Sequence, residues 1–143
     1  MDKNIVVFIS VFFVAGLLYY ILKPPRDDVN KIPMLQIVRD NFGKLDPSYK
    51  SIPLAEGDSS YTENKSAISL CLKDPKTQQI YDENTINYVA LHELAHVITK
   101  ESGKESHGEE FKKNFSTLLK LAEQKGFYDP SLSIPTNYCG IKE

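Results

Sequence analysis

The first hydrophobic block of the chain is an uncharged, mostly apolar run over residues 5–22, eighteen residues long. At about 1.5 Å per residue, a helix of that length covers about 27 Å, close to the roughly 30 Å hydrocarbon core of a bilayer. Pro24 and Pro25 follow and cannot continue the helix. The pattern predicts a transmembrane anchor over residues 1–23. A cleaved signal peptide is the alternative, although its apolar region is usually shorter and ends in a small-residue cleavage site.

The rest of the chain predicts a linker followed by one compact domain. Residues 24–31 are rich in proline and charge, as linkers often are. In the domain, residues 32–143, the apolar positions of residues 33–42 recur at helical spacing and predict a short amphipathic helix. Residues 68–72 alternate with period two, and a turn at residues 74–77 precedes residues 79–81, so this part predicts a hairpin.

Two longer helices are predicted after the hairpin. Residues 85–100 carry apolar side chains nearly all round the helix axis, which predicts a buried central helix capped by Asp82 or Asn84. Ser106 and Glu109 have the spacing of a capping box and predict the start of a last helix that ends near Gly126. The expected fold class is therefore α+β: a small sheet or hairpin packed on a central helix and a following helix, preceded by one transmembrane helix.

Composition excludes some function classes and leaves the state of the cysteines open. The chain has 17 Lys and Arg against 19 Asp and Glu, a net charge of −2. Without a positive excess, binding to a nucleic-acid backbone is not expected. Cys71 and Cys139 are too few for a disulfide scaffold, and they are either inert packing residues or one disulfide.

The central helix contains an H-E-x-x-H motif, residues 92–96. Because His92 and His96 are four residues apart, both imidazoles leave one face of the helix and can reach a single zinc ion. Glu93 is rotated by about 100° from His92, where it can contact water on the metal without binding the metal itself. The motif predicts a zinc site with Glu93 as the catalytic base.

A catalytic zinc ion usually takes three protein ligands and keeps one position open. His107 is the one remaining histidine, eleven residues after His96, and imidazole is a common ligand at such sites. The sequence therefore predicts His107 as the third ligand. Glu109 or Glu110 from the following helix is the alternative.

The block from Thr85 to Phe111 resembles the SprT-like and WLM-type zinc metallopeptidases, in which H-E-L-x-H is followed by a distal histidine and an aromatic residue that opens the next helix. The resemblance covers about half the chain. It implies a small zincin fold, zinc ligands at His92, His96 and His107, and an acid/base role for Glu93. The metzincin spacing is absent, because His107 comes too late.

The predicted function is that of a membrane-anchored zinc metallopeptidase. Zinc lowers the pKa of its water, Glu93 takes the proton, and the activated water attacks the peptide carbonyl. Expected partners are a peptide or protein substrate and the membrane, through residues 5–22. The predicted localisation is a single-pass membrane protein. The Lys and Arg residues that flank the apolar run slightly favour a cytosolic C-terminal domain, but they do not determine the side of the membrane on which the domain lies. The alternatives are a membrane-tethered zinc-binding module without catalysis and a DNA-associated protease.

Two details of substrate handling are left as hypotheses. Tyr81, Tyr128 and Tyr138 are candidate donors to the oxyanion, and the sequence does not choose among them. A substrate strand could also pair with the strand at residues 68–72 by β-augmentation.

Overall fold

A small mixed sheet packed on helices forms the domain. The computed structural model describes residues 3–100, 107–139 and 141–142. The helices are α1 (Lys3–Leu22), α2 (Pro33–Leu45), α3 (Glu83–Ile98) and α4 (Glu109–Gln124), with a short 3-10 helix over Pro47–Ser51. The strands are β1 (Leu54–Glu56), β2 (Tyr61–Glu63), β3 (Ala67–Leu70), β4 (Asn137–Tyr138) and β5 (Ile141–Lys142). The α+β part of the predicted fold class is thus observed, with a small sheet present.

Strand β3 is the centre of the three-stranded sheet, whose order is β1-β3-β2. Strand β1 runs parallel to β3, with Leu54 opposite Ile68, and β2 runs antiparallel to it, with Thr62 also opposite Ile68. All four residues of β3 are buried. Strand β2 therefore has one unpaired edge within the described sheet, and its Thr62 side chain contacts Glu93 of α3.

Helix α3 is the central helix. Its buried residues point in several directions around the axis and include Ile86, Ala90, Leu91 and Leu94. The helix begins after Asp82, whose carboxylate accepts a hydrogen bond from the Thr85 amide at 2.9 Å. A helix that is apolar on most sides has to pack against several elements at once. This packing holds the turn that carries the H-E-x-x-H motif rigidly.

A buried amide pair ties α3 to its neighbours. Asn41 of α2 donates a hydrogen bond to the Asn87 side chain at 3.2 Å, and Asn87 donates to the Phe127 carbonyl at 2.8 Å. Both asparagines are almost completely buried. Because an unpaired buried amide would be costly, these bonds favour one rotation of α3 relative to α2 and the end of α4.

The outer helices differ from their predictions mainly at their ends. Helix α2 continues past Gly43 to Leu45. Helix α4 begins at Glu109 behind Gly108, which has no side-chain cap, and Gly126 follows it with a φ of 77° that suits glycine. The predicted cap Ser106 lies outside the described residues.

Helix α1 corrects the predicted membrane anchor. No helix in the described part of the chain is long and apolar enough to cross a membrane. For this part of the chain, the predictions of a transmembrane helix over residues 1–23, of a membrane contact through residues 5–22 and of single-pass membrane localisation are therefore wrong.

The predicted hairpin is observed close to its turn. Residues 73 and 80 form an antiparallel bridge, and the Tyr81 amide donates a hydrogen bond to the Leu72 carbonyl at 3.0 Å. The regular partners of β3, however, are β1 and β2, two strands that the sequence pattern does not predict. Each has three residues, which is too short for alternation to be recognised.

A disulfide between Cys71 and Cys139 ties the C-terminal segment to the end of β3. The two cysteines are 68 residues apart, so the bond restricts a long loop of the unfolded chain. Replacement of Cys139 by Ser is expected to lower the free energy of unfolding by about 2–4 kcal/mol, measured by urea denaturation of the full chain. A reducing agent should bring the wild type to the same midpoint and leave the variant unchanged; equal midpoints without reductant would contradict the pairing.

Candidate metal centre

Three imidazoles meet at one point between α3 and α4. His92 and His96 lie one helical turn apart on α3, and their Nε2 atoms are 3.2 Å apart. His107, which directly precedes the start of α4, places its Nε2 atom 3.1 Å from that of His96 and 3.2 Å from that of His92. The three nitrogens form a nearly equilateral triangle.

The size of this triangle fits a metal ion. Tetrahedral coordination with zinc–nitrogen bonds of about 2.0–2.1 Å separates the ligand nitrogens by about 3.3–3.4 Å. The observed separations of 3.1–3.2 Å are close to this value. The cluster of His92, His96 and His107 can therefore bind a metal, and within the described residues it is the group of ligand side chains with this capacity.

Aromatic side chains of α4 hold the imidazoles. The Phe111 ring lies 5.0 Å from the His92 ring and 4.4 Å from the His96 ring, and the Phe115 ring lies 5.2 Å from that of His92. Burial, together with the nearby His96 and His107, lowers the pKa of His92 to about 4. Burial also lowers the pKa of His96. Neutral imidazole is the form that binds metals, so these ligands need not lose a proton at neutral pH.

Glu93 lies beside the triangle and points toward the sheet. Its side chain is only 6% exposed. The Thr62 hydroxyl of β2 lies 2.8 Å from the Glu93 carboxylate and 2.9 Å from the Glu93 main-chain carbonyl, and it donates its single proton to these two acceptors. Burial raises the pKa of Glu93, and the Thr62 hydrogen bond partly opposes this effect. A carboxylate with a raised pKa is suited to accept and release a proton near neutral pH.

A cavity of about 300 Å³ lies next to these groups. His92, Glu93, His107 and Tyr138 are among its lining residues. The lining of the cavity thus includes two of the three imidazoles and the carboxylate. A small segment of a substrate can enter beside both kinds of group.

The alternative third ligands lie outside the triangle. The Glu109 carboxylate pairs with Lys112 at 3.0 Å. Glu110 accepts a hydrogen bond from the Lys100 amide at 3.2 Å. The geometry therefore brings His107, and neither of these carboxylates, to His92 and His96.

The three candidate oxyanion donors differ in their position relative to the cavity. Tyr138 lines the cavity, donates its hydroxyl hydrogen to the Cys71 carbonyl and has its pKa raised to about 12 by burial, so it stays protonated. The Tyr81 hydroxyl accepts a hydrogen bond from the Cys139 amide at 2.8 Å. Tyr128 packs near Tyr88, with ring centres 6.0 Å apart. Of the three, Tyr138 is the one placed where a substrate could reach it.

Proteins from viruses are similar to this chain. Uncharacterized protein 042R of Invertebrate iridescent virus 3 is 38% identical over 93 residues, which cover 65% of this chain and 57% of the relative. Uncharacterized protein 136R of Invertebrate iridescent virus 6 is 42% identical over 90 residues, 62% of this chain and 49% of the relative. Uncharacterized protein R325 of Acanthamoeba polyphaga mimivirus is 34% identical over 122 residues, 81% of this chain and 60% of the relative.

The chain thus spans between 49% and 60% of the length of these relatives, whose names assign no activity. No protein-family model and no solved structure matches the chain. None of these comparisons tests the resemblance to the SprT-like and WLM-type peptidases, which stays a prediction.

Sequence reasoning did not find two parts of the site. Thr62 belongs to a three-residue strand that the sequence pattern does not predict. The segment 134–138 reaches the cavity from a C-terminal stretch for which the sequence predicts no helix or strand. The possible disulfide between Cys71 and Cys139 was the one observation in the sequence that could have placed this tail near the end of β3.

Proposed function

We propose that this protein is a zinc metallopeptidase that hydrolyses peptide bonds. The observation that carries the proposal is the convergence of three imidazole nitrogens within 3.1–3.2 Å of one another, with the buried Glu93 carboxylate beside them in one cavity. Three neutral nitrogen ligands with one open position are typical of catalytic zinc sites.

The donor set favours zinc over harder cations. His92, His96 and His107 offer three imidazoles, whereas magnesium and calcium prefer oxygen ligands. Within the described residues, the cluster supplies three ligands and no fourth. This arrangement favours a catalytic site over a closed, structural one, which normally takes four protein ligands.

The residues of the chain divide the chemistry among them. His92, His96 and His107 would hold the zinc ion, which would supply a Lewis acid for the carbonyl and for the attacking water. Glu93 would accept the proton of the attacking water and pass it to the leaving amine. Thr62 holds the Glu93 carboxylate through the 2.8 Å hydrogen bond to one of its oxygens.

The edge of β2 is the place where a substrate strand would pair. The earlier hypothesis placed it on residues 68–72, but β3 is central and already paired on both sides, so that prediction is wrong. Strand β2 has an unpaired edge in the described sheet, and its Thr62 contacts Glu93. A peptide added to this edge would pass next to the catalytic carboxylate.

The order of the elements also supports a relationship to the SprT-like and WLM-type peptidases. An edge strand packs against the motif helix α3, and the third histidine directly precedes the next helix. This is the small zincin layout that the resemblance implies. The relationship remains part of the proposal.

Metal removal tests the proposed function. The full chain, treated with a chelator and then dialysed, is expected to lose cleavage of a peptide library, and one equivalent of zinc should restore it. Magnesium added in the same way is the control and should restore nothing, because the site offers nitrogen ligands. Equal cleavage before and after zinc removal would contradict a zinc peptidase.

A further inference from the structure

The cavity beside Glu93 has two walls from distant parts of the chain. Helix α3 supplies Tyr88 and Val89, about one turn before His92. The C-terminal segment supplies Ile134 and Pro135 on the opposite side. None of these four residues belongs to the H-E-x-x-H motif, so metal binding alone does not explain this part of the cavity lining.

The C-terminal wall is held in place at its end. Cys139 is joined to Cys71 by the disulfide, and its amide donates a hydrogen bond to the Tyr81 hydroxyl at 2.8 Å. Tyr138 donates to the Cys71 carbonyl and packs on Tyr81 with ring centres 4.7 Å apart. These contacts fix the segment against the sheet, and a fixed wall can discriminate between shapes.

Part of the cavity lining is hydrocarbon. Val89, Ile134 and Pro135 present apolar surface beside the polar side chains of Ser60, Thr136 and Tyr138, and the described lining residues include no Lys or Arg. The carboxylate in the lining is that of Glu93. An apolar side chain would gain by burial against the hydrocarbon, whereas an acidic side chain would lose its hydration and face the Glu93 carboxylate.

The size of the cavity limits what it can hold. Pockets for whole small-molecule ligands have volumes of about 300–1,000 Å³. This cavity, at about 300 Å³, is at the lower end of the range and suits a single large side chain. Because the cavity lies next to Glu93, the side chain that enters it would belong to a substrate residue next to the cleaved peptide bond.

We propose that the cavity between α3 and the C-terminal segment 134–138 is a substrate subsite for one large apolar side chain next to the cleaved bond, and that Ile134 and Val89 determine its specificity. The part of this inference that concerns cleavage rests on the proposed peptidase function. The binding of the side chain itself does not depend on catalysis, and it can be measured separately.

The test changes the free volume of the subsite in two directions. Ile134→Ala should shift the preference of the full chain in a peptide library toward larger side chains, and Ile134→Phe should shift it toward small ones. Each change in the kcat/KM ratio between a Phe and an Ala substrate is expected to be about 10-fold or more, as for methylene-scale changes in apolar pockets. Leu132→Ala is the matched control, since Leu132 lies two residues before Ile134, is 53% exposed and is not among the residues that line the cavity.

A binding measurement separates the subsite from the peptidase activity. The Glu93→Gln chain is titrated calorimetrically with two pentapeptides that differ only in a central Leu or Asp. If the wild-type chain cleaves no peptide of the library, but the Leu peptide binds to Glu93→Gln more tightly than the Asp peptide and Ile134→Phe removes the difference, the subsite stands and the peptidase function fails. If peptides are cleaved with a preference that neither Ile134 variant alters, the subsite proposal is overturned and the peptidase function stands.

Discussion

Replacement of Glu93 by Gln is expected to lower the rate of peptide cleavage by about 10²–10⁴-fold while the chain keeps its zinc. The glutamine amide has nearly the same shape and can still accept the Thr62 hydrogen bond at its carbonyl oxygen. It cannot take a proton from water, so the proton transfer fails and the three histidines stay intact. Cleavage rates and metal analysis on the same preparations measure both quantities.

The matched control for this variant is Glu109→Gln. Glu109 lies in the first turn of α4 and is paired with Lys112 on the surface, away from the histidine triangle. The Glu109→Gln substitution makes the same chemical change on the surface. It should leave the cleavage rate within about twofold of the wild-type rate, because surface substitutions usually have small effects. Cleavage by Glu93→Gln at the wild-type rate would remove Glu93 from the mechanism. A wild type that binds zinc but cleaves no peptide would instead favour the zinc-binding module without catalysis.

Replacement of His107 by Ala is expected to weaken zinc binding by more than about 100-fold, because loss of even an outer partner of a ligand costs about 10–100-fold. The variant leaves His92 and His96, two ligands where a catalytic site needs three. His107 is exposed, so the fold should be retained. Competition with a chromophoric zinc chelator measures the affinity, and circular dichroism checks the fold.

Glu110→Ala tests the alternative ligand with the same assay. Its carboxylate lies near the Lys100 amide and outside the histidine triangle, so zinc affinity should not change. An unchanged affinity in His107→Ala combined with a large loss in Glu110→Ala would reverse the ligand assignment. Loss in both variants would mean that the site depends on the start of α4 as a whole.

The spacing of residues along the sequence was sufficient to predict the helix that carries His92, Glu93 and His96. The spacing of His92 and His96 places both imidazoles on one face of any helix, and the offset of Glu93 follows from the 100° rotation per residue. The apolar residues all round this helix predicted its burial, which the structure confirms. Asp82, one of two predicted caps, is the residue that accepts the bond from Thr85. These features depend on residues close together in sequence, so the sequence can determine them.

The tertiary structure decided which distant residues surround that centre. Thr62 reaches Glu93 across 31 positions because β2 pairs with β3, and three-residue strands carry too little periodicity to reveal that pairing. The C-terminal wall depends on a disulfide whose formation two isolated cysteines could not establish.

The same distinction explains the predictions that were wrong. Strand β3 has its regular partners in β1 and β2, whereas residues 79–81 pair with residues that follow β3, through the bridge of residues 73 and 80. Sheet order depends on contacts among several segments, so local alternation did not predict it. Apolarity over residues 5–22 predicted an anchor, but the described helix contains no span long and apolar enough to cross a membrane. Helical spacing is determined by the backbone of one segment. Strand order and the walls of a cavity are determined by the packing of the whole chain. The pattern of a single segment carries no information about that packing.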